Sequence, residues 1–155
     1  MIPVKNKAGD ILTEFIEAAD ESALNSGAFP PLHFALIVAR YEGQALMVYN
    51  HRRGVWEVPG GGMENGETPR DCIIRELEEE SGQAAHNLRF RGIVRIRKKA
   101  AGLKEFAGAL YAGDLKKVVP FAGTDEIERI CLWDGRSALP DLCEIDAELV
   151  RLVRG

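Results

Sequence analysis

Three carboxylates fall on one side of a predicted helix in the middle of the chain. They belong to Glu76, Glu79 and Glu80. Thr68 is a favourable N-cap, Pro69 suits the first helical position, and Gly82 stands where a left-handed C-terminal cap is expected. At about 100° per residue, a helix between these ends gathers the three carboxylates within an arc of roughly 100°. Like charges at this spacing repel one another, and a hard divalent cation with oxygen ligands would offset the repulsion.

A solvated acidic face is the alternative interpretation. Charge runs are usually exposed, and Arg75 can pair with Glu79 at i,i+4. The segment before the helix favours a site instead, because it is rich in glycine. Glycines let the backbone approach a ligand or a metal closely. They are Gly60, Gly61, Gly62 and Gly66.

Residues 61–83 resemble the Nudix box, whose pattern is G-x5-E-x7-R-E-U-x-E-E-x-G-U with U a bulky apolar residue. The matching residues are Gly61, Glu67, Arg75, Glu76, Leu77, Glu79, Glu80 and Gly82. The lead-in from Trp56 to Gly61 also resembles the strand that precedes the box in that family. One position departs, because Gln83 stands where an aliphatic residue is usual. This departure predicts a weaker packing contact after the helix and touches no ligand position.

The resemblance implies a hydrolase that cleaves a pyrophosphate bond in a nucleoside diphosphate linked to another group X. Water attacks phosphorus, helped by Mg²⁺ or Mn²⁺. The metal-binding and catalytic residues it implies are Glu76, Glu79 and Glu80. The carbonyl of Gly60 matches a further ligand in several members. Structural roles are implied for Gly61, Glu67, Arg75 and Gly82, of which Glu67 and Arg75 brace the loop against the helix.

Many family members supply one more acidic residue after the box, as a metal ligand or as the base that activates water. Asp125 and Glu126 match this position best, and Glu126 is the expected residue, with Glu128 as its competitor. Arg52 or Arg53, just upstream of the box strand, is expected to contact a substrate phosphate.

Secondary signatures of the family narrow the substrate. Residues 84–119 hold no proline of the kind that ADP-ribose hydrolases tend to have, and alanines at 100–101 stand where dinucleoside-polyphosphate hydrolases tend to show a tyrosine. The expected substrate is therefore a nucleoside triphosphate, including an oxidised one. ADP-ribose or nucleotide-sugar hydrolysis stays an alternative. A nucleotide-sensing module without turnover is the other, although such modules often lose box carboxylates and this chain keeps them all.

Apolar patterning predicts the elements that position these residues. Strands are predicted at 10–17, 33–40, 45–49, 55–59, 88–97, 105–112 and 126–133. A second helix is predicted to open at 141–144 in capping-box style. Mixed strands with two helices on opposite sides predict a three-layer α/β/α sandwich with a mixed β-sheet, and the Nudix resemblance implies the same fold. One domain is expected over 1–155, with the box at 61–83 and an N-terminal strand and connector at 1–31.

Two faces are predicted in more detail. Beside the carboxylates, the box helix should turn Ile73, Ile74 and Leu77 toward a core. The strand at 88–97 alternates, with an arginine face and an apolar face. The arginine face comprises Arg89, Arg91, Arg95 and Arg97, and the apolar face comprises Phe90, Val94 and Ile96.

Composition limits the classes of function. The 155 residues carry a net charge of −4, which argues against stable nucleic-acid binding. There is no apolar run long enough for a membrane span, no signal-peptide pattern, and no paired cysteine spacing for a metal. These features predict a cytoplasmic protein, and the Nudix resemblance implies a small nucleotide as its substrate. Nudix-like proteins are often homodimers, and the arginine face or the N-terminal strand could serve such an interface.

Overall fold

The computed structural model describes residues 1–25 and 31–154, which form nine β-strands, two α-helices and two short 3₁₀ segments. The strands are β1 (Val4–Lys5), β2 (Ile11–Glu17), β3 (Leu32–Tyr41), β4 (Gln44–Asn50), β5 (Val55–Glu57), β6 (Gly60–Gly62), β7 (His86–Lys98), β8 (Lys104–Asp114) and β9 (Ile127–Trp133). The helices are α1 (Pro69–Ser81) and α2 (Glu144–Leu152), and the 3₁₀ segments are Glu21–Asn25 and Lys99–Ala101. Part of the predicted connector, at 26–30, lies outside the described residues.

The strands form one sheet in the order β1-β2-β7-β8-β3-β4-β5, with β6 paired to β3 and β9 paired to β4. The β3–β8 pair is parallel, with Leu36 opposite Leu110, and the other pairs are antiparallel. The sheet is therefore mixed, as predicted.

Each face of the sheet carries one helix. In β3 and β4, Val38 and Met47 belong to the core cluster under α2, while their neighbours Ile37 and Leu46 belong to the cluster under α1. Successive strand residues point to opposite faces, so the two helices lie on opposite sides of the sheet. The prediction of a three-layer α/β/α sandwich is confirmed. Within the described residues, no helix is long and apolar enough to cross a lipid bilayer.

The ends of α1 are those predicted from the sequence. Thr68 accepts a hydrogen bond from the backbone N–H of Asp71 at 3.1 Å, and Gly82 adopts φ 71°. The apolar face is partly different from the prediction. Ile74 is 55% exposed, so its assignment to the core is wrong, and Cys72 takes the buried position beside Ile73.

The start of α2 also differs from the prediction. The helix begins at Glu144, and its N-cap residue, Cys143, makes no side-chain cap hydrogen bond. Asp141 lies before the helix with φ 63°, where its carbonyl accepts from Trp56 N at 2.8 Å. The predicted capping box is therefore wrong, because this segment is held by strand β5 rather than by helix capping.

The predicted faces of β7 are wrong as well. Phe90 belongs to the cluster under α1, whereas Val94 and Ile96 belong to the cluster under α2. A bulge separates them, since the register with β8 shifts between Phe90 and Gly92. One extra residue moves every later side chain to the other face. The four arginines of β7 therefore do not form a single face.

Candidate active site

The glycine segment before the box helix is a short strand rather than a loop. In β6, Gly60, Gly61 and Gly62 lie opposite residues of β3 in antiparallel register. The N–H of Gly60 donates to Glu80 Oε1 at 2.8 Å. A Cβ added to Gly61 would lie 2.6 Å from the carboxyl carbon of Glu76. Two box carboxylates therefore rest directly against the backbone of β6, and Glu76 does so at a distance that only glycine at position 61 permits.

Arg75 joins the helix to the segment before it. Its Nε and Nη2 donate to the two carboxylate oxygens of Glu67 at 2.7 and 2.9 Å, and Nη2 also donates to the carbonyl of Gly62 at 3.1 Å. Its Nη1 donates to Glu76 at 2.8 Å and to Glu79 at 3.1 Å. The bonds from Arg75 lower the pKa of Glu67 to about 2. The Arg75–Glu79 pair exists, but as one arm of a network that spans loop and helix.

Glu80 is the most buried of the box carboxylates, with 7% of its surface exposed. Burial is the largest cause that raises the pKa of this carboxyl to about 8. The charges of Glu76, Glu57 and Glu126 contribute to this rise, and the N–H of Gly60 opposes it. Arg75 donates to Glu76 and to Glu79. The charges of Glu57, Glu76, Glu80 and Glu126 therefore repel one another beside the box helix.

Asn50 holds two of those carboxylates together. This side chain, 1% exposed, donates from Nδ2 to Glu57 Oε1 at 3.0 Å and to Glu126 Oε1 at 3.3 Å. Its Oδ1 accepts from the backbone N–H of Arg53 at 3.0 Å. The Arg53 guanidinium in turn donates to Glu57 at 3.1 Å. Asn50 and Glu57 are not among the residues predicted from the sequence, and the one signal for Asn50 is its polar side chain at the end of an apolar strand.

The structure favours one of the two candidate bases and one of the two candidate arginines. Glu126 lies at Asn50, and its charge acts on both Glu76 and Glu80. Glu128 instead pairs with the neighbouring Arg129. Both arginines are exposed, and Arg53, unlike Arg52, lines a cleft beside β6.

The cleft next to β6 has a volume of about 940 Å³. Glu57 and the glycines of β6 form one wall, and Phe34 and Phe106 lie farther along it with the basic side chains of Lys7 and Lys98. Such a cleft is of the size of small-molecule sites and joins apolar rings to charged groups. It is suited to a ligand that has both a flat ring and phosphates.

Asp146 closes this cleft on the α2 side. Its Oδ1 accepts from the backbone N–H of Val58 at 2.9 Å, and the residue is 8% exposed. Burial raises the pKa of this carboxyl to about 7, and the charge of Glu57 adds to the rise. The carboxyl thus ties α2 to the strand that leads into β6.

The donor chemistry fits a hard divalent cation, although the side chains are not gathered around one point. Across residues 1–25 and 31–154, no three carboxylate, imidazole or thiol groups are close enough to surround an ion as they stand. Glu79, whose side chain is 56% exposed, is turned toward Arg75, which also binds Glu76. The candidate donors are all oxygen atoms, as Mg²⁺ and Mn²⁺ prefer. An exposed glutamate can exchange a partner of this kind at low cost.

Comparisons with known proteins indicate the family of this chain. A family model described as "NUDIX domain" matches residues 30–153. The chain is 41% identical over 56 residues to the uncharacterized Nudix hydrolase YvcI of Bacillus subtilis, covering 36% of this chain and 35% of that protein. It is 31% identical over 98 residues to the RNA pyrophosphohydrolase of Pseudomonas paraeruginosa, covering 61% of each.

A solved structure extends the likeness over almost the whole chain. The pyrophosphohydrolase from Bacillus subtilis superimposes with a TM-score of 0.67 at 19% identity, covering 94% of this chain and 87% of that one. At this identity the likeness shows the fold alone. The matches to the first curated relatives cover about a third of their length, between 31% and 36%.

Proposed function

The chain belongs to the Nudix family, and on that premise we propose that it hydrolyses a pyrophosphate bond in a nucleoside diphosphate linked to another group X. The observation that carries the proposal is a set of four carboxylates. Glu76 and Glu80 lie against the backbone of β6, and Asn50 holds Glu57 and Glu126. Nudix hydrolases generally use divalent metals. A cation with oxygen ligands would offset the burial and the repulsion that together raise the pKa of Glu80.

The residues proposed to hold the metal are Glu76, Glu79, Glu80 and the carbonyl of Gly60. Either Mg²⁺ or Mn²⁺ suits these donors, and when bound it would neutralise phosphate charge during the displacement. Glu79 would leave Arg75 to take part. Arg75 would still keep its bonds to Glu67 and Glu76, so the helix and β6 would stay braced.

Glu126 is the proposed base that accepts a proton from the attacking water. Its carboxylate is held by Asn50 and lies near the box glutamates, which is where an activated water is needed. Glu128 is a weaker candidate because its carboxylate is engaged by Arg129. Arg53, which lines the cleft, is proposed rather than Arg52 to contact a substrate phosphate at its rim.

A nucleoside triphosphate is the substrate we propose. Its phosphate chain would meet the carboxylates and the metal, and its base and sugar would occupy the cleft between Phe34 and Phe106. ADP-ribose and nucleotide sugars stay alternatives. RNA with a 5′-triphosphate joins them, because a relative and a protein of the same fold are described as RNA pyrophosphohydrolase and pyrophosphohydrolase.

A substrate panel with matched variants tests the proposal. Phosphate release would be measured with Mg²⁺ or Mn²⁺ for nucleoside triphosphates, ADP-ribose, nucleotide sugars, dinucleoside polyphosphates and 5′-triphosphorylated RNA. Glu79→Gln and Glu80→Gln should abolish turnover with little change in the unfolding transition. Glu78→Gln is the control, because Glu78 is an exposed glutamate of the same helix. Near-full activity in either site variant would refute the site assignment.

The sensing alternative predicts a different result in the same panel. A module without turnover would bind nucleotides, seen as a rise in unfolding temperature, and release phosphate from none of them. We favour turnover because every acidic position of the box is present, and because Glu126 adds a further carboxylate.

A further inference from the structure

A second cavity, of about 410 Å³, lies apart from the carboxylate cleft and shares no lining residue with it. Three segments form its walls: the turn between β3 and β4 at Gly43, the loop after β9, and the C-terminal end of α2. Nothing in the proposed hydrolysis uses this cavity.

Arginines dominate its walls. Those that line it are Arg40, Arg136, Arg151 and Arg154. Arg91 joins them from β7, donating from Nη1 to the carbonyl of Arg154 at 3.0 Å. This concentration of positive charge stands out in a chain whose net charge is −4.

The acidic side chain that lines the cavity is already occupied. Asp134 accepts from the backbone N–H groups of Arg136 and Ser137 at 2.8 and 2.7 Å, and from Ser137 Oγ at 2.6 Å. These bonds lower the pKa of Asp134 to about 2. Its hydrogen bonds therefore all go to its own loop, although its charge also acts on Arg136.

The arginines repel one another where they meet. Burial lowers the pKa of Arg40, and the charges of Arg91, Arg154 and Arg89 lower it further. Arg151 Nη1 lies 3.9 Å from Glu148 Oε2, a long ion pair. Such repulsion is offset when an anion binds between the guanidinium groups.

Helix capping is the simplest structural explanation, and it covers part of the cluster. Arg40 Nη2 donates to the carbonyl of Val150 at 3.0 Å, and Arg91 donates to that of Arg154, so both satisfy the end of α2. Each bond uses one nitrogen of a five-donor group. Capping does not explain why Arg136 and Arg151 face the same cavity.

We propose that this cavity, the arginine cavity, binds a short chain of phosphates, either as free di- or triphosphate or as part of a nucleotide. Guanidinium groups bind phosphate oxygens in bidentate pairs, and several around one cavity suit several phosphates. Trp133 is buried, with 5% of its surface exposed, and its Nε1–H donates to the carbonyl of Ser137 at 2.8 Å. It therefore offers no open face for stacking. Recognition therefore falls on the phosphates rather than on a base.

Titration calorimetry of the full chain with inorganic triphosphate tests this, with EDTA present so that no metal supports binding at the carboxylates. Arg136→Gln combined with Arg151→Gln should weaken binding at least about tenfold, the equivalent of one charge-assisted bond. Both side chains are exposed and neither bonds the backbone of α2, so the fold should survive. The control is Lys5→Gln combined with Arg97→Gln, which removes the same charge from exposed positions elsewhere.

Titrations with ATP and with adenosine distinguish the two sources of ligand, a free phosphate chain and a nucleotide. The arginine double variant should weaken the binding of ATP and of inorganic triphosphate by a similar factor, and it should leave any binding of adenosine at the carboxylate cleft unchanged. Equal weakening in the control variant would overturn the proposal, because it would mean attraction to net charge. Absence of triphosphate binding by the parent at millimolar concentration, or adenosine binding that is lost in the arginine double variant, would overturn it as well. None of these results depends on hydrolysis, so the proposal stands or falls separately from the catalytic one.

Discussion

Three consecutive glycines in β6 should respond differently when each is replaced by alanine. None of them has a positive φ, so the added methyl group is itself the perturbation. At Gly60 the new Cβ would lie 2.4 Å from the carbonyl oxygen of Ala35. At Gly61 it would lie between 2.6 and 2.7 Å from three atoms of the Glu76 carboxylate. At Gly62 the nearest atom is 3.9 Å away, an ordinary contact.

The magnitudes follow from what each neighbour can do. The carbonyl beside Gly60 belongs to β3, which is fixed by β8 on its other side, so strands must shift, and overpacking of this kind costs about 1–3 kcal/mol. The carboxylate beside Gly61 ends a flexible side chain, so it can rotate away at little cost in stability. Restoring an ordinary contact moves Glu76 by about 0.8 Å, and a misplacement of about 1 Å can cost about 10²-fold in rate. Gly62→Ala should change stability by less than about 0.5 kcal/mol.

Two measurements on the three variants check these expectations. Urea unfolding, followed by the fluorescence of Trp56 and Trp133, gives the free energy of unfolding. Steady-state hydrolysis at saturating Mg²⁺ gives kcat. Equal kcat for Gly61→Ala and Gly62→Ala would refute the catalytic importance of the Glu76 position. Destabilisation of Gly61→Ala as large as that of Gly60→Ala would show that Glu76 cannot yield.

Three further changes give distinct expectations. Because burial raises the pKa of Asp146 from 3.8 to about 7, the stability it contributes is greatest below about pH 4 and is lost as the pH rises through 7. Asp146→Asn keeps an acceptor for Val58 N and removes this pH-dependent loss of stability. Urea titrations should therefore show that the free energy of unfolding of the variant rises relative to that of the parent between pH 5 and 8. The same pH dependence in both proteins would contradict this. Asn50→Asp would set a third carboxylate beside the two that Asn50 now bridges, so kcat should fall at least about tenfold. An unchanged kcat would argue against a positioning role for Asn50. Thr68→Ala removes the cap bond to Asp71 N and should cost about 1 kcal/mol of unfolding free energy, whereas no shift in the urea midpoint would refute the cap.

Local signals explain what the sequence could predict. The ends of α1 depend on Thr68 and Gly82, each of which acts within one turn of the helix. The box carboxylates follow from helical geometry once those ends are known. Gln83 was predicted to weaken a packing contact, yet it is buried and exchanges hydrogen bonds with the backbone N–H and C=O of Val119. Its partner lies in a distant loop that no local pattern identifies.

Contacts between distant strands explain what the sequence could not predict. Asn50 reaches Glu57 and Glu126 because β4 pairs with β5 on one side and with β9 on the other, with a register shift between Tyr49 and Asn50. The prediction of the β7 faces is wrong for a similar reason, because the bulge at Gly92 depends on how β7 fits against β2 and β8. An added Cβ at Gly92 would lie 2.3 Å from the carbonyl of Ile16.

Strand β4 connects the two charged regions of the molecule and also keeps them apart. Ala45, near its start, lines the arginine cavity, and Asn50, at its end, holds the carboxylates of Glu57 and Glu126. At about 3.3 Å per residue the two positions are about 17 Å apart, and pairing on both edges makes this separation rigid. A triphosphate in the arginine cavity therefore cannot reach the carboxylates. The two sites can be filled together, and an anion in the arginine cavity should not compete with the nucleotide that is hydrolysed.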